Sequence, residues 1–116
     1  MSILPQPHER NRRIALRKAF REAATVIYSG SSKAVRTWDL GPDGMCLLSP
    51  RPIAPGMRCQ VSFDLAVGSE APVHLSVSAK VVHSSYSAAG EFKIGAVFTD
   101  LDDDAARVLA RFAAAP

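Results

Sequence analysis

Two stretches of strict alternation constrain the fold of this chain more than anything else in it. Met57, Cys59, Val61, Phe63 and Leu65 fall on one parity, opposed by Arg58, Gln60, Ser62 and Asp64. Val73, Leu75, Val77, Ala79 and Val81 repeat the pattern against His74, Ser76, Ser78 and Lys80. A period of two is what a strand with one buried and one wet face requires, and it excludes an all-helical fold. Four shorter strands are expected around these two. Ala24 to Tyr28 ends at the turn cluster Ser29–Ser32, and Ala34 to Leu40 ends at Gly41-Pro42-Asp43-Gly44. Met45 to Leu48 is closed by Pro50 and Pro52, and Glu91 to Thr99 places Phe92, Ile94, Ala96 and Phe98 inward. After Asp100 the period becomes helical. Asp102 is suited to cap a helix whose first turn holds Asp103 and Asp104, where negative charge meets the positive end of the helix dipole. Leu101, Ala105, Val108, Leu109 and Phe112 supply its apolar stripe. The reading is an all-β fold with a C-terminal helix, its six strands arranged as an antiparallel barrel.

The segment before the first strand is ambiguous. Leu16, Ala19, Phe20 and Ala23 recur at helical spacing, with Asn11 as a candidate cap. Residues 1–11 carry two prolines and no periodicity and read as a flexible lead-in; 12–116 read as a single domain. At 116 residues there is room for one core.

Charge is informative here through its placement. Six of the 14 basic residues lie between Arg10 and Arg21, in a chain of net charge +3, which favours an anionic partner: nucleotide, nucleic acid or lipid surface. No apolar run approaches the length of a membrane span, and no secretory leader is recognised, so a cytoplasmic location with no membrane insertion is expected. His8, His74, His83, Cys46 and Cys59 show no zinc spacing, and the two cysteines read as buried free thiols; no metal site is expected. No nucleophile has a histidine and an acid in a recognisable motif, and no glycine-rich phosphate loop opens a helix, so no catalytic residue is assigned and the chain is read as a non-enzyme. Met45 and Met57 are expected in the core; Trp38 reads as a packed barrel residue or, alternatively, a base-stacking platform, and His83 as a partly exposed edge residue or one lining the ligand surface.

Two motifs carry the functional reading. The first is Arg12-Arg13-Ile14-Ala15-Leu16-Arg17; the second is Asp39-Leu40-Gly41-Pro42-Asp43-Gly44, in the turn after the second expected strand. In the order RxxxR, strand, strand, DxSxxG, the chain resembles the PilZ family of bacterial cyclic di-GMP receptor domains. The resemblance continues through Gly44–Ser49 and Ile94–Phe98 to the terminal helix, from Arg12 to Phe112. It implies a six-stranded barrel of the split-barrel type, with an N-terminal arm that folds over cyclic di-GMP. The arm would then be extended, and the helical spacing of Arg12 to Ala23 is set aside. By match to the motif, Arg13 and Arg17 form the clamp. Arg12 stands where the family's capture of a stacked ligand pair is accompanied by arginine. Asp39 would accept from a guanine's N1 and N2 edge, and Gly44 would allow close backbone approach. The chemistry suits the ligand, because a guanidinium donates in bidentate fashion to guanine O6 and N7 or to phosphate and also stacks on the base. Gly41 departs from the pattern, which has serine there; the missing hydroxyl removes one hydrogen bond, about 0.5–1.5 kcal/mol net.

The resemblance thus implies a receptor that needs no cofactor, binds cyclic di-GMP and passes the signal to an unidentified downstream protein or through a ligand-linked homodimer. Two other functions are compatible with the residues. A degenerate member acting only through protein contacts is kept open by Gly41. A basic-arm barrel binding single-stranded nucleic acid would use Trp38 or Tyr28 for stacking, and the carboxylate of Asp39 on the binding face argues against it.

Overall fold

The computed structural model describes residues 17–88 and 90–116. Among the described residues seven strands and one helix follow in order: β1 Lys18–Ala19, β2 Ala23–Tyr28, β3 Ser31–Leu40, β4 Gly44–Ser49, β5 Arg58–Leu65, β6 Val73–Ala88, β7 Glu91–Phe98 and α1 Asp103–Ala114. Strand β3 closes the sheet: it pairs with β2 along one edge and with β4 along the other, and the series β2-β5-β6-β7-β4 completes a six-stranded antiparallel barrel. The seventh strand, β1, is the extra element, pairing Lys18 with Leu40 and Ala19 with Asp39.

The alternation read from the sequence sets the core. Cys59, Val61, Phe63 and Leu65 of β5 and Leu75, Val77, Ala79 and Val81 of β6 are buried together with Val26, Met45, Leu47 and Ile94. Val73 departs from its expected inward position and is 42% exposed at the strand's start. Helix α1 begins as expected: the carboxylate of Asp102 accepts from Ala105 N at 2.7 Å, and Ala105 and Leu109 bury against the barrel. Its last turn is held by Lys18, whose ammonium donates to Phe112 O at 2.8 Å and Ala115 O at 2.5 Å and lies 4.8 Å from the centre of the Phe112 ring. A cation at the negative end of a helix is favourable, and the Lys18 bonds add to the cap in which Ala115 N donates to Arg111 O and Phe112 O.

The described part of the segment with helical spacing is extended. Arg17 to Tyr28 runs along one edge of β3, interrupted at Phe20–Glu22. Buried Thr37 spans the interruption. Its hydroxyl accepts from Glu22 N at 2.8 Å and lies within donating distance of Phe20 O at 2.5 Å and Glu22 O at 3.2 Å, while Phe20 packs edge-on against Phe63 and Phe112. Thr37→Val keeps the shape and leaves Glu22 N and Phe20 O unpaired, at a cost of about 2 kcal/mol. Chemical denaturation is expected to show that loss, with a smaller one in Thr37→Ser, which retains the hydroxyl.

The Ser29–Ser32 cluster is shorter as a turn than expected, with Ser31 and Ser32 already in β3. Strand β6 runs past Val81 to Ala88, with shifts of register against β7 between Val81 and His83, where Val82 is the extra residue, and between Tyr86 and Ala88. The expected lead-in at 1–11, Arg12 and Arg13 lie outside the described residues. Among the described residues no helix is long and apolar enough to cross a membrane.

Candidate functional site

Strand β3 would bury every second residue if it were regular. Val35 and Thr37 are buried, and continuing that parity would drive Asp39 into the core and turn Leu40 outward. The structure avoids this with a bulge: Thr37 pairs with Leu47, Asp39 with Cys46, and Trp38 is the extra residue. Leu40 is consequently fully buried, while Trp38 and Asp39 are both partly exposed. A bulge re-aims side chains in this way, and here it delivers an indole and a carboxylate side by side to the barrel exterior. Of the two readings of Trp38, the one that packs it in the core is corrected by this geometry.

The arm brings the second component. The pairing of Ala19 with Asp39 fixes Arg17 over the turn between β3 and β4, and one guanidinium nitrogen lies 3.3 Å from Asp39 Oδ1. Both side chains are about 30% exposed, 30% for Arg17 and 29% for Asp39, so the pair is accessible to a ligand. The turn is closed by Gly41 N donating to Gly44 O at 2.9 Å and is tied to β7 by Phe98 N donating to Asp43 O at 2.8 Å. Gly41 lies directly beneath the Arg17 stem: a Cβ there would sit 3.0 Å from Arg17 Cγ and 3.5 Å from its Cα. Gly44 is closer still to its surroundings, since a Cβ would fall 2.3 Å from Ala96 O, 3.1 Å from Arg17 Nη2 and 3.2 Å from Val97 Cα. Four of the expected site residues, Arg17, Asp39, Gly41 and Gly44, therefore converge at one place.

Cys46 lies on β4 in register with Asp39 on one side and Gly95 on the other. Burial pushes its thiol up to about 11, the Asp39 carboxylate adds to the rise, and Lys93 and Arg17 oppose it. Such a thiol is neutral at physiological pH and is a poor nucleophile. Cys59 is also free and buried, and burial raises its pKa as well. Because the folded-state value for Cys46 lies above the unfolded one of 9.0, the contribution of its burial to stability is complete below pH 9 and is lost as the pH climbs through about 11. Unfolding measured from pH 8 to pH 11 should therefore show wild type losing about 2 kcal/mol more than Cys46→Ala over that range. Parallel curves would show that the thiol is not held neutral by the fold.

Sequence reasoning missed two further residues beside the pair. Arg21 lies with its guanidinium carbon 3.6 Å from the centre of the Trp38 ring, its Nε donating to Trp38 O at 3.1 Å, and Lys93 of β7 places its ammonium 5.2 Å from the same ring. Arg21 was visible only as part of a basic segment. Lys93 gives no local signal, because its position depends on the pairing of β4 with β7. Among the described residues no group of three His, Cys, Asp or Glu side chains is placed to hold a metal ion.

The fold is that of several solved structures. The inhibitor of motility MotI/DgrA of Bacillus subtilis superposes with a TM-score of 0.72 at 8% identity, covering 84% of this chain and 47% of that one. PlzA of Borreliella burgdorferi, solved in complex with c-di-GMP, superposes with a TM-score of 0.58 at 14% identity, covering 87% of this chain and 36% of that one. The chain thus spans about half and about a third of the length of these two structures. No curated protein sequence matches it significantly. The model of the PilZ domain matches residues 10–115, almost the full length, and with the barrel, the terminal helix and the Asp39–Gly44 turn in place, the chain belongs to the PilZ domain family.

Proposed function

We propose that this chain is a non-catalytic receptor domain for cyclic di-GMP, which binds the dinucleotide at the Arg17–Asp39 pair and relays its presence to another protein. The observation that carries the reading is the convergence of Arg17, Asp39, Gly41 and Gly44 on one accessible surface, although 22 residues separate the arginine from the carboxylate. A carboxylate accepts from N1 and N2 of guanine, and a guanidinium next to it donates to O6 and N7 or to a phosphate; a guanine nucleotide is complementary to the two together. The 3.3 Å contact between them is a single contact and not a bidentate one, so each group keeps capacity for a ligand. Arg13 completes the clamp with Arg17 in this proposal, and Arg12, the position before it, is assigned to a second, stacked copy of the ligand.

Gly41 modifies the site without removing it. Where the family pattern has a serine hydroxyl, the Arg17 stem packs against the glycine instead. The affinity is expected to be about tenfold lower than with the full motif, from one missing hydrogen bond. The same feature favours a second reading, an interaction module whose Arg17 is permanently neutralised by Asp39 and which binds no nucleotide. Isothermal titration with cyclic di-GMP, with GTP, GMP and a single-stranded oligonucleotide as competitors, separates the readings. Saturable heat that only the cyclic dinucleotide displaces supports the receptor. No heat at micromolar protein and millimolar ligand leaves the interaction module, and displacement by the oligonucleotide with steep salt dependence would establish the nucleic-acid reading instead.

A further inference from the structure

The cationic aromatic stack beside the Arg17–Asp39 pair ties the arm to the β3 bulge and holds more positive charge than that tie requires. Arg36 pairs with Glu91, Arg107 with Asp104, and Arg111 with Glu70. Arg21 and Lys93 have no carboxylate partner among the described residues, as is also true of Arg58 and Lys80; what sets them apart is that both are gathered onto one indole. Two like charges drawn to a single ring repel each other, and the arrangement becomes favourable when an anion shares the space. The Arg21 guanidinium lies at stacking distance over Trp38 and is fixed by its bond to the Trp38 carbonyl, so it forms a rigid planar layer whose residue is exposed to solvent. The bulge in β3 sets this layer next to Asp39, one residue away along the chain.

We propose that Trp38, Arg21 and Lys93 form a second subsite that stacks a guanine of the cyclic dinucleotide on the Arg21–Trp38 layer and receives a phosphate at Lys93. The proposal rests on the receptor reading and adds the residues that take the half of the ligand not held by Arg17 and Asp39. It also gives this chain a source of affinity where Gly41 removes one.

Trp38 is the only tryptophan in the chain, so its emission reports the stack directly. Cyclic di-GMP is titrated into the full chain and followed by calorimetry and by tryptophan fluorescence. The expected result is quenching with the same midpoint as the heat. Trp38→Leu and Arg21→Ala should each weaken binding about tenfold, in the range found for loss of one base–aromatic stack. Trp38→Phe, which keeps a ring, should lose about threefold or less, and Lys93→Ala about fivefold with a shallower salt dependence. Should Trp38→Leu unfold at lower temperature, Arg21→Ala and Lys93→Ala decide the matter, since Arg21 is exposed and Lys93 only half-buried, and the unfolding midpoint of each is measured beside its affinity. Normal heat with unchanged emission, or with wild-type affinity in Arg21→Ala and Lys93→Ala, overturns the subsite and leaves the receptor reading standing. No heat from the wild-type chain overturns both.

Discussion

Arg17→Ala is expected to abolish measurable cyclic di-GMP binding while leaving the barrel folded. Truncating one member of a desolvated, hydrogen-bonded charge contact costs about 2–5 kcal/mol of binding free energy, roughly thirtyfold to several thousandfold in affinity. In the unliganded protein the same side chain makes one contact to Asp39 from a position about a third exposed, at 30%. An exposed pair of that kind contributes about 0–1 kcal/mol to stability. The two effects thus differ by several kcal/mol, and thermal unfolding run beside the titration separates them: a midpoint within a few degrees of wild type, with no binding. Arg17→Lys keeps the charge but not the planar fork, and it is expected to recover only a small part of the affinity. Wild-type affinity in Arg17→Ala would remove the pair from the site. A large fall in the unfolding midpoint would show instead that Arg17 holds the β3–β4 turn to the arm.

Much of this architecture could be read from the sequence where one physical rule acted alone. The alternation in β5 and the first half of β6 is dictated by a core on one face, and Asp102, Asp103 and Asp104 mark the start of α1 because each suits the positive end of a helix. Reading failed where two rules overlapped. The helical spacing that links Phe20 to Ala23 has no counterpart in the fold: pairing breaks at Phe20–Glu22, and when it resumes Ala23 is exposed while Ala24 and Val26 turn inward. Phe20 is drawn into a cluster with Phe63 and Phe112 that sequence distance conceals. The same holds for the β3 bulge. Val35, Thr37 and Leu40 are buried at intervals of two and then three, with the bulged Trp38 in the wider gap. An aspartate on the core parity of an apolar strand was the available sign, since a regular strand would bury it unpaired. Of the site, Arg17, Asp39, Gly41 and Gly44 were legible through their order and spacing. The Arg21–Trp38–Lys93 stack was not, because it joins three elements whose adjacency exists only once the barrel has closed.

Gly44→Ala is the substitution expected to damage the fold most. Neither the φ of Gly44 nor a special turn demands glycine there; the requirement is space. The added methyl would lie 2.3 Å from Ala96 O and 3.2 Å from Val97 Cα, and both are backbone atoms of β7 that the barrel holds in register with β4. A side chain could rotate away from such an overlap, whereas a paired strand cannot. Relief requires β4 to separate from β7 at Gly44–Val97, which strains the closure of the barrel at its β4 seam and costs about 3 kcal/mol, equivalent to a fall of about 12 °C in the unfolding midpoint for a domain of this size. Gly41→Ala provides the contrast. Its methyl would meet the Arg17 stem at 3.0 Å, a side chain with rotamers to spare, and the expected loss is below about 1 kcal/mol. Differential scanning calorimetry of the two variants, alike in chemistry and three residues apart, distinguishes the causes. If both lose the same stability, the penalty belongs to the turn as a whole; if only Gly44→Ala does, the glycine is fixed by the approach of β7, and its place in the family motif answers to the barrel as much as to the ligand.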